Sequence, residues 1–346
     1  MAVREHYRRG LHELSDGVWA WLQPDGSWGL SNAGLLVDGE ASMLVDTLFD
    51  LPLTRTMLAA MRRATPAART LDTVVNTHAN ADHCWGNQLC GRAQIIASRR
   101  AAQEMLQLQP ALMATLSRVT QLSARTGPLG RTLGRLLSRV GVRQLGAVLQ
   151  ASDLLSRAFG RFDFSGITLT PPTRTFDEHL TLWVGDTAVD LYEVGPCHTT
   201  GDVIVHVPAR QVVFTGDILF VDSHPIVWEG PVSRWIAACD RILDLSPVHI
   251  VPGHGPLAEP DDVRRVQHYL SYLYEEATTR YHAGMTAQQA AHDISLAEFR
   301  HWKDAERVAV NVRTIYRELS GDAASEDVME LFAVMAELGR VMPDLG

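Results

Sequence analysis

The segment THANADH, residues 77–83, carries the strongest functional signal in this sequence. It follows a short apolar run at residues 71–76 that predicts a β-strand. His78, Asp82 and His83 bring two imidazoles and a carboxylate into this one segment, and such a cluster at a strand end is typical of a transition-metal site. A polar, hydrogen-bonded loop is the alternative interpretation, and it would suffice for a single histidine.

Three later motifs place a histidine or an aspartate at the end of an apolar run. They are Gly195-Pro196-Cys197-His198, Thr215-Gly216-Asp217 and Pro252-Gly253-His254-Gly255. Their glycines and prolines predict turns, which would present His198, Asp217 and His254 at strand ends. Each motif alone is also typical of an ordinary turn, so the metal-site interpretation depends on the whole set.

Two further acids and two cysteines lie beside these motifs. Asp46 ends an apolar run, and we expect it to brace a loop of the metal site rather than to bind metal. We expect Asp202 to cap or brace the loop that carries His198. Cys84 and Cys197 each adjoin a candidate histidine, where a ligand or a nucleophile is one interpretation. Because adjacent residues of an extended loop point in opposite directions, we expect both thiols to face away from the metal.

Apolar runs predict a β-rich region, a helical insert, a second β-rich region and a helical tail. Asp38-Gly39 predicts a hairpin turn between strands Ala33–Val37 and Ser42–Val45. The other predicted strands are residues 17–23, 71–76, 167–169, 180–184, 188–194, 203–207, 211–215 and 249–251. The predicted helices are residues 51–63, parts of 98–160, 231–246 and most of 260–319.

In their order along the chain, an HxNxDH variant, a lone histidine after Gly-Pro, TGD and PGHG resemble the metallo-β-lactamase superfamily. The spacing and the downstream helices are most similar to its glyoxalase-II-like hydrolase branch. The resemblance runs from about Val18 to Pro256 and is interrupted by residues 98–160. It implies an α/β fold, an αββα sandwich of two face-to-face sheets with helices outside and metal bound at one sheet edge.

The resemblance also implies which residues bind metal. The matching positions are His78 and His198 in a first site, Asp82, His83 and His254 in a second site, and Asp217 as a bridge between them. Asn80 stands where the family has the second histidine of its first motif, and an amide oxygen is a poorer zinc ligand than imidazole. We therefore expect one zinc ion held firmly and a second held weakly or not at all, with iron and manganese open. Asn80 could instead donate a hydrogen bond to an oxyanion.

The implied function is a metal-dependent hydrolase that cleaves an ester, thioester, lactone or amide with a metal-activated water. Asp82 or Asp217 would accept the proton of that water. Three alternatives stay open: another chemistry on this fold, such as a dehalogenase, cyclase or lyase; an iron-dependent oxidoreductase; and a non-catalytic binding protein with a decayed site. Trp28, His224 and Trp228 are expected to line the substrate pocket, with ordinary packing as the alternative.

We expect residues 1–260 to form the catalytic domain, with residues 98–160 as a helical insert, and residues 261–346 to form a helical segment packed on it. The insert is rich in arginine, and its leucines at 129, 133, 136 and 137 recur at helical spacing. These features predict a lid over the metal cleft that favours apolar small molecules carrying a negative charge. A homodimer interface and attachment to an anionic membrane are alternatives, of which we favour the dimer.

Composition restricts the class of protein. The 346 residues suffice for one large domain or for a domain with an appendage. A net charge of −9 argues against a general nucleic-acid-binding protein. No run approaches the roughly 18 apolar residues of a transmembrane helix, and no apolar run typical of a signal peptide begins the chain. The four cysteines form no CxxC pair, and we expect a cytoplasmic protein with reduced thiols.

Overall fold

Two β-sheets form the centre of the protein in the computed structural model, which describes residues 7–115, 117, 132, 143–322 and 327–341. The strands are β1 (Gly10–Ser15), β2 (Val18–Leu22), β3 (Ala33–Asp38), β4 (Ala41–Val45), β5 (Thr73–Val75), β6 (Gln94–Ser98), β7 (Arg174–Phe176), β8 (His179–Val184), β9 (Thr187–Glu193), β10 (Val203–Val207), β11 (Val212–Phe214) and β12 (His249–Val251). One sheet has the order β1-β2-β3-β4-β5-β6-β7, and the other has the order β12-β11-β10-β9-β8.

Helices connect the strands and follow the second sheet. The α-helices are α1 (Leu51–Ala64), α2 (Ala81–Cys84), α3 (Arg99–Glu104), α4 (Arg143–Phe159), α5 (Val232–Asp244), α6 (Pro260–His282), α7 (Ala287–Asp293), α8 (Val308–Ser320) and α9 (Val328–Val341). Short 3-10 helices span Pro66–Arg69, Asn87–Cys90, Pro208–Arg210, Gly216–Ile218, Ala297–His301 and Ala305–Arg307. In the described part of the chain, no helix is both long enough and apolar enough to cross a membrane.

The two sheets pack face to face. Apolar side chains of the first sheet, such as Leu36 and Val45, form one buried cluster with side chains of the second sheet, such as Val205 and Phe214. The outer face of the first sheet packs against α1, and the outer face of the second packs against α5 and α6. Burying each large aliphatic side chain contributes about 1.5–3 kcal/mol, so the inter-sheet core is a main source of stability.

Parallel strand pairs set the position of the candidate site. Strands β4 and β5 are parallel, with Val45 opposite Val75, and β11 and β12 are parallel, with Phe214 opposite Val251. The carboxyl ends of parallel strands lie at the same edge of a sheet, where ligand sites of α/β proteins are commonly found. The loops after all four of these strands carry candidate site residues.

Helix α8 and the short helix before it hold the chain that follows Asp217. The Asn311 side chain accepts a hydrogen bond from the backbone N–H of Val227 and donates one to the Pro225 carbonyl. Thr314 donates to the Val227 carbonyl, and Arg307 donates to the His224 carbonyl. Because backbone groups of one loop bond to side chains of the helical tail, the tail determines the shape of this loop.

In the first sheet one predicted strand is wrong, and strands β1, β6 and β7 were not predicted. Residues 167–169 form no strand, and the edge strand is β7, where Phe176 pairs with Ser98. Pro171 and Pro172 lie between the two segments, and proline cannot donate to a sheet ladder, so pairing begins only after them. Strand β1 was not predicted, because its side chains are only partly buried and its sequence lacks an apolar face.

The predicted insert, residues 98–160, contains α3 and α4 in its described part. The residues expected to form the apolar face of a lid, Leu129, Leu133, Leu136 and Leu137, lie outside the described residues. Helix α4 packs against α9 at the end of the chain, and Arg340 donates a hydrogen bond to the Gln150 carbonyl.

Gly34 provides a test of the close packing between the sheets. A Cβ atom added there would lie 2.2 Å from the Phe214 ring, so we expect Gly34→Ala to lower the free energy of unfolding by about 1–3 kcal/mol in chemical denaturation. Gly339→Ala is the control. Gly339 lies inside helix α9, and a Cβ added there would be 3.4 Å from Glu306 Cβ, so no loss of stability is expected. Unchanged stability of Gly34→Ala would show that the sheets pack less closely.

Candidate metal centre

Four histidines and two aspartates converge at the shared sheet edge. His78, His198 and Asp217 form the first group, and Asp82, His83 and His254 form the second group. Within each group the candidate ligand atoms lie within 4.8 Å of one another. Five of the six side chains are at most 3% exposed, and Asp82 is 14% exposed. The structure thus brings together all the residues expected to bind metal.

The carboxylate of Asp217 lies at the centre of both groups. The Nε2 atoms lie at 3.1 Å (His83), 3.2 Å (His198), 3.5 Å (His254) and 3.7 Å (His78) from an Asp217 oxygen. Gly253 must lack a side chain, because an added Cβ would lie 1.9 Å from Asp217 Oδ1. Gly253 was singled out in the sequence only as a turn residue, and its close approach to Asp217 is the reason for glycine at this position.

Each histidine is oriented through its Nδ1 atom. The Nδ1 partners are Thr77 Oγ1 for His78 (3.0 Å), Asp46 Oδ2 for His83 (2.9 Å), the Ile226 carbonyl for His198 (2.8 Å) and the Gly26 carbonyl for His254 (3.1 Å). A carbonyl or carboxylate oxygen only accepts, so His83, His198 and His254 donate from Nδ1, and each neutral ring directs the lone pair of Nε2 inward.

Asp46 braces the loop of residues 77–83, which confirms the prediction for this residue. It accepts hydrogen bonds from the Thr77 backbone N–H and hydroxyl, both at 2.7 Å, as well as from His83. Because the Thr77 hydroxyl donates to Asp46, its lone pair can accept from His78 Nδ1. One carboxylate therefore orients two imidazoles, an arrangement typical of the surroundings of bound metals.

The inward-facing atoms fit a metal ion. His78 Nε2, His83 Nε2 and Asp217 Oδ1 are buried and have no hydrogen-bond partner among the described residues. An unpaired buried polar atom costs about 1–3 kcal/mol, and three such atoms facing one another are rare in proteins. A divalent cation would bind their lone pairs, and a mixed set of imidazole and carboxylate ligands is typical of zinc, iron and manganese.

The electrostatic surroundings differ between the two groups. Burial lowers the pKa of His78 and His198 below the ordinary histidine value. Burial would also lower the pKa of His254, but the carboxylates of Asp217 and Asp82 outweigh it and raise this pKa to about 9. The group that contains His254 is therefore the more favourable environment for a positive charge.

Asn80 presents a hydrogen-bond donor to one of the candidate ligands. Its Nδ2 atom lies 2.8 Å from His198 Nε2. Since His198 Nδ1 donates to the Ile226 carbonyl, Nε2 holds a lone pair, and the amide nitrogen is the group that can donate to it. The lone pair that a metal in the first group needs is therefore shared with the Asn80 amide.

The loop that carries His198 is held by Asp202, as predicted. The Asp202 carboxylate accepts hydrogen bonds from the backbone N–H groups of Cys197 and Thr199 and from the Thr199 hydroxyl. The loop therefore bends around one buried acid.

The two cysteines beside the candidate ligands belong to neither group. The thiol of Cys84 donates to the Ala79 carbonyl, and the thiol of Cys197 donates to the Val194 carbonyl. Burial raises the pKa of both thiols well above the ordinary cysteine value. These contacts agree with the prediction that both thiols face away from the metal.

The three residues expected to line the substrate pocket lie in two places. Trp28 and Trp228 both contact the Phe332 ring of α9, at centroid distances of 5.6 and 6.1 Å. His224 is fully buried and contacts the rings of Tyr269 and Trp302 instead, at 5.1 and 5.7 Å. Their role in substrate binding stays a prediction.

Arg307 is a residue near the centre that the sequence did not suggest. Its guanidinium is 1% exposed and lies over the Trp28 ring at 4.3 Å and over the Phe220 ring at 5.2 Å. Phe220 in turn stacks on His254. Arg307 belongs to no motif in the helical tail, so only the folded structure reveals its position.

Burial of the thiols leads to a prediction about reactivity. Cys84, Cys90, Cys197 and Cys239 are all free and at most 6% exposed, and burial raises the pKa of each. Since the thiolate is the reactive form, we expect negligible reaction of the folded protein with a chromogenic thiol reagent. In denaturant all four should react. Rapid native-state labelling of Cys84 or Cys197, identified by mass spectrometry, would contradict the buried position.

The family model of the metallo-beta-lactamase superfamily matches residues 26–254. Among curated proteins, the chain is similar to the probable hydroxyacylglutathione hydrolase glo2 of Schizosaccharomyces pombe, with 31% identity over 111 residues. That alignment covers 30% of this chain and 41% of the relative, so the chain matches less than half the length of this relative.

Two solved structures share the fold at 16% identity. The inverting sec-alkylsulfatase Pisa1 from Pseudomonas sp. gives a TM-score of 0.62, covering 91% of this chain and 50% of that one. A metallo-beta-lactamase from Pontibacter korlensis gives a TM-score of 0.51, covering 76% of this chain and 99% of that one. These similarities confirm the predicted α/β fold, an αββα sandwich with a helical C-terminal region. Since the matched residues 26–254 also include all six candidate ligands, this chain belongs to the metallo-beta-lactamase superfamily.

Proposed function

We propose that this protein is a metal-dependent hydrolase that cleaves an ester, thioester, lactone or amide bond in a small molecule. The metal ligands would be Asp82, His83, His254 and Asp217. The observation that carries this proposal is the convergence of four buried imidazoles on one carboxylate, where His78 Nε2, His83 Nε2 and Asp217 Oδ1 have no hydrogen-bond partner among the described residues. Membership of the superfamily supports it, and the curated relative is itself named a hydrolase.

The metal we propose is zinc, with one ion bound firmly. The second group has a full set of protein ligands, whereas the first has Asn80 where its third imidazole would be. A second ion there would be bound weakly, because His198 already accepts a hydrogen bond from this amide. Iron and manganese also bind imidazole and carboxylate, so metal analysis has to include both.

A bound metal would polarise the bond to be cleaved and lower the pKa of a water molecule. The chain must then accept the proton of that water. Asp217 faces four imidazoles, whereas Asp82 has His254 at 3.3 Å and His83 at 4.0 Å and is the most exposed of the six. We therefore assign the proton acceptor to Asp82 and an electrostatic role to Asp217.

Water is the only reactant that this hydrolysis requires besides the substrate. The water oxygen forms a bond to the acyl carbon, and the bond from that carbon to the leaving group breaks. Asp82 takes the proton from water and returns it to the leaving group. The second N–H of the Asn80 amide could donate to the developing oxyanion, since the first donates to His198.

The substrate pocket is proposed to be apolar. Trp28, Trp228 and Phe159 of α4 all contact Phe332, and this aromatic cluster would suit an apolar chain. A negative charge on the substrate stays a prediction, because most of the arginines that motivate it lie outside the described residues. A homodimer also stays a prediction. The four free, buried cysteines suit a reducing compartment such as the cytoplasm.

The first test of the proposal is the metal content. We expect purified protein to retain about one zinc ion per chain after dialysis, because only one group has all of its ligands. Elemental analysis that includes iron and manganese measures this directly. A content near two that resists dialysis would mean that Asn80 or water completes the first group, and a protein that takes up no metal would refute the metal-dependent function.

Asn80→His is the matched variant. It restores the missing imidazole, so zinc content should rise toward two, whereas Asn80→Ala should leave it near one. No increase in Asn80→His would mean that the first group is blocked for a reason other than the missing ligand.

The second test is activity on a panel of esters, thioesters, lactones and amides. Asp82→Ala and His254→Ala should abolish any hydrolysis found, because each removes a ligand of the proposed metal. Asn80→Ala should retain measurable activity. Suitable controls are Asp177→Ala and His268→Ala, since both side chains are more than half exposed and form their ion pairs with the exposed Arg99 and Glu298.

Two outcomes would count against this assignment. If Asn80→Ala were as inactive as His254→Ala, Asn80 would be indispensable, either as a metal ligand or as the main donor to the oxyanion, and not an auxiliary donor. If zinc-loaded wild-type protein hydrolysed nothing in the panel, the family's other chemistries would become the better account.

A further inference from the structure

Four planar side-chain groups contact one another in a row that begins at the metal centre. They are the His254 imidazole, the Phe220 ring, the Arg307 guanidinium and the Trp28 indole. The imidazole of His254 stacks on the ring of Phe220, with centroids 5.1 Å apart and an interplanar angle of 2°. The Arg307 guanidinium lies over Phe220, with its carbon 5.2 Å from the ring centroid, and over the indole of Trp28 at 4.3 Å. A candidate metal ligand is thus connected to a buried cation by a single aromatic ring.

The orientation of His254 needs this stack. Its Nδ1 atom donates to the Gly26 carbonyl at 3.1 Å, which fixes one direction in the ring. A single hydrogen bond leaves the ring free to turn about the axis of that bond. Contact with the face of Phe220 removes this freedom, because the two planes are parallel. Together the two contacts aim Nε2 at Asp82 and Asp217.

Two polar contacts restrain the guanidinium. Nη1 donates a hydrogen bond to the His224 carbonyl at 2.8 Å, and Nη2 forms an ion pair with Asp304 Oδ2 at 3.0 Å. The guanidinium carbon is thereby kept over the Trp28 and Phe220 rings. Cation–π contacts are strongest for a desolvated guanidinium, and Arg307 is 1% exposed. Trp28 is anchored too, since its Nε1 lies 3.3 Å from Glu306 Oε1.

We propose that Arg307 is a positioning residue for the metal centre, which acts through Phe220 to hold the His254 imidazole in the plane that metal binding requires. This inference rests on the proposed metal function and extends it to the helical tail. Residues that orient metal ligands commonly change metal affinity 10- to 100-fold when they are replaced. Lysine cannot replace arginine here, because an ammonium group has no planar face.

The test is Arg307→Lys in the full-length, zinc-loaded protein. The variant keeps the positive charge beside Asp304 but removes the planar stack, so zinc should pass to an excess of a chromogenic chelator roughly tenfold faster than from wild type. In protein loaded with cobalt(II) instead, the visible absorption spectrum should change, because it reports the arrangement of the ligands. Neither measurement depends on catalytic activity.

Arg317→Lys is the matched control. Arg317 also lies in the helical tail and donates to a carbonyl of the same loop, that of Trp228, but within the described part of the chain it lies over no aromatic ring. Gly34→Ala is a second control, which lowers stability at the inter-sheet core. Both controls should release zinc at the wild-type rate, whatever their melting temperatures.

Trp28→Leu is the second variant, and it applies if Arg307→Lys does not fold. It uncovers the guanidinium without removing it, so zinc release should be accelerated by about two- to fivefold, less than the 10- to 100-fold effect of residues that orient metal ligands. Wild-type release rates and cobalt spectra in the folded variants would overturn the proposal. A wild-type protein that takes up neither zinc nor cobalt would refute the metal function itself, which is a separate result.

Discussion

The contact between one buried carboxylate and four imidazoles is the constraint on which the rest of the structure depends. Asp217 lies within 3.7 Å of the Nε2 atoms of all four histidines. Burying charged and polar groups at this density is costly unless their lone pairs find partners. The fold meets this requirement in three ways. The ends of two parallel strand pairs lie at one edge, and the glycine at position 253 leaves room for Asp217. Each histidine also forms a hydrogen bond through its Nδ1 atom, on the side of the ring that faces away from Asp217.

The two groups of candidate ligands are unequal for physical reasons. In one group, Asp82 and Asp217 create a field that favours a cation near His254. In the other, Asn80 directs an N–H toward the lone pair of His198. The Asn80 amide therefore acts on the first group through the hydrogen bonding of a neighbouring candidate ligand, and it brings no imidazole of its own.

The sequence predicted the centre well because its signals are local. Each candidate ligand lies within eight residues of the end of a short apolar strand. The hairpin predicted at Asp38-Gly39 is present, with Asp38 opposite Ala41 and Gly39-Glu40 as its turn. Edge strands were harder: β1 has no apolar face, and the run at 167–169 precedes two prolines. Arg307 could not be predicted at all. It meets Trp28 from the opposite end of the chain, and no periodicity or motif records a contact of that separation.

The hydrogen bonds from the helical tail to the loop after Asp217 affect the order in which the site can assemble during synthesis. All six candidate ligands precede residue 255, yet Asn311 and Thr314 supply the hydrogen bonds that shape the loop around Val227, and the His198 Nδ1 partner, Ile226, lies in that loop. A chain that grows from its amino end therefore presents His198 before it presents the tail residues that shape the loop of its Nδ1 partner. The partners of the other three imidazoles, Gly26, Asp46 and Thr77, are synthesised early, so the orientation of His198 is the step of site assembly that waits for the helical tail.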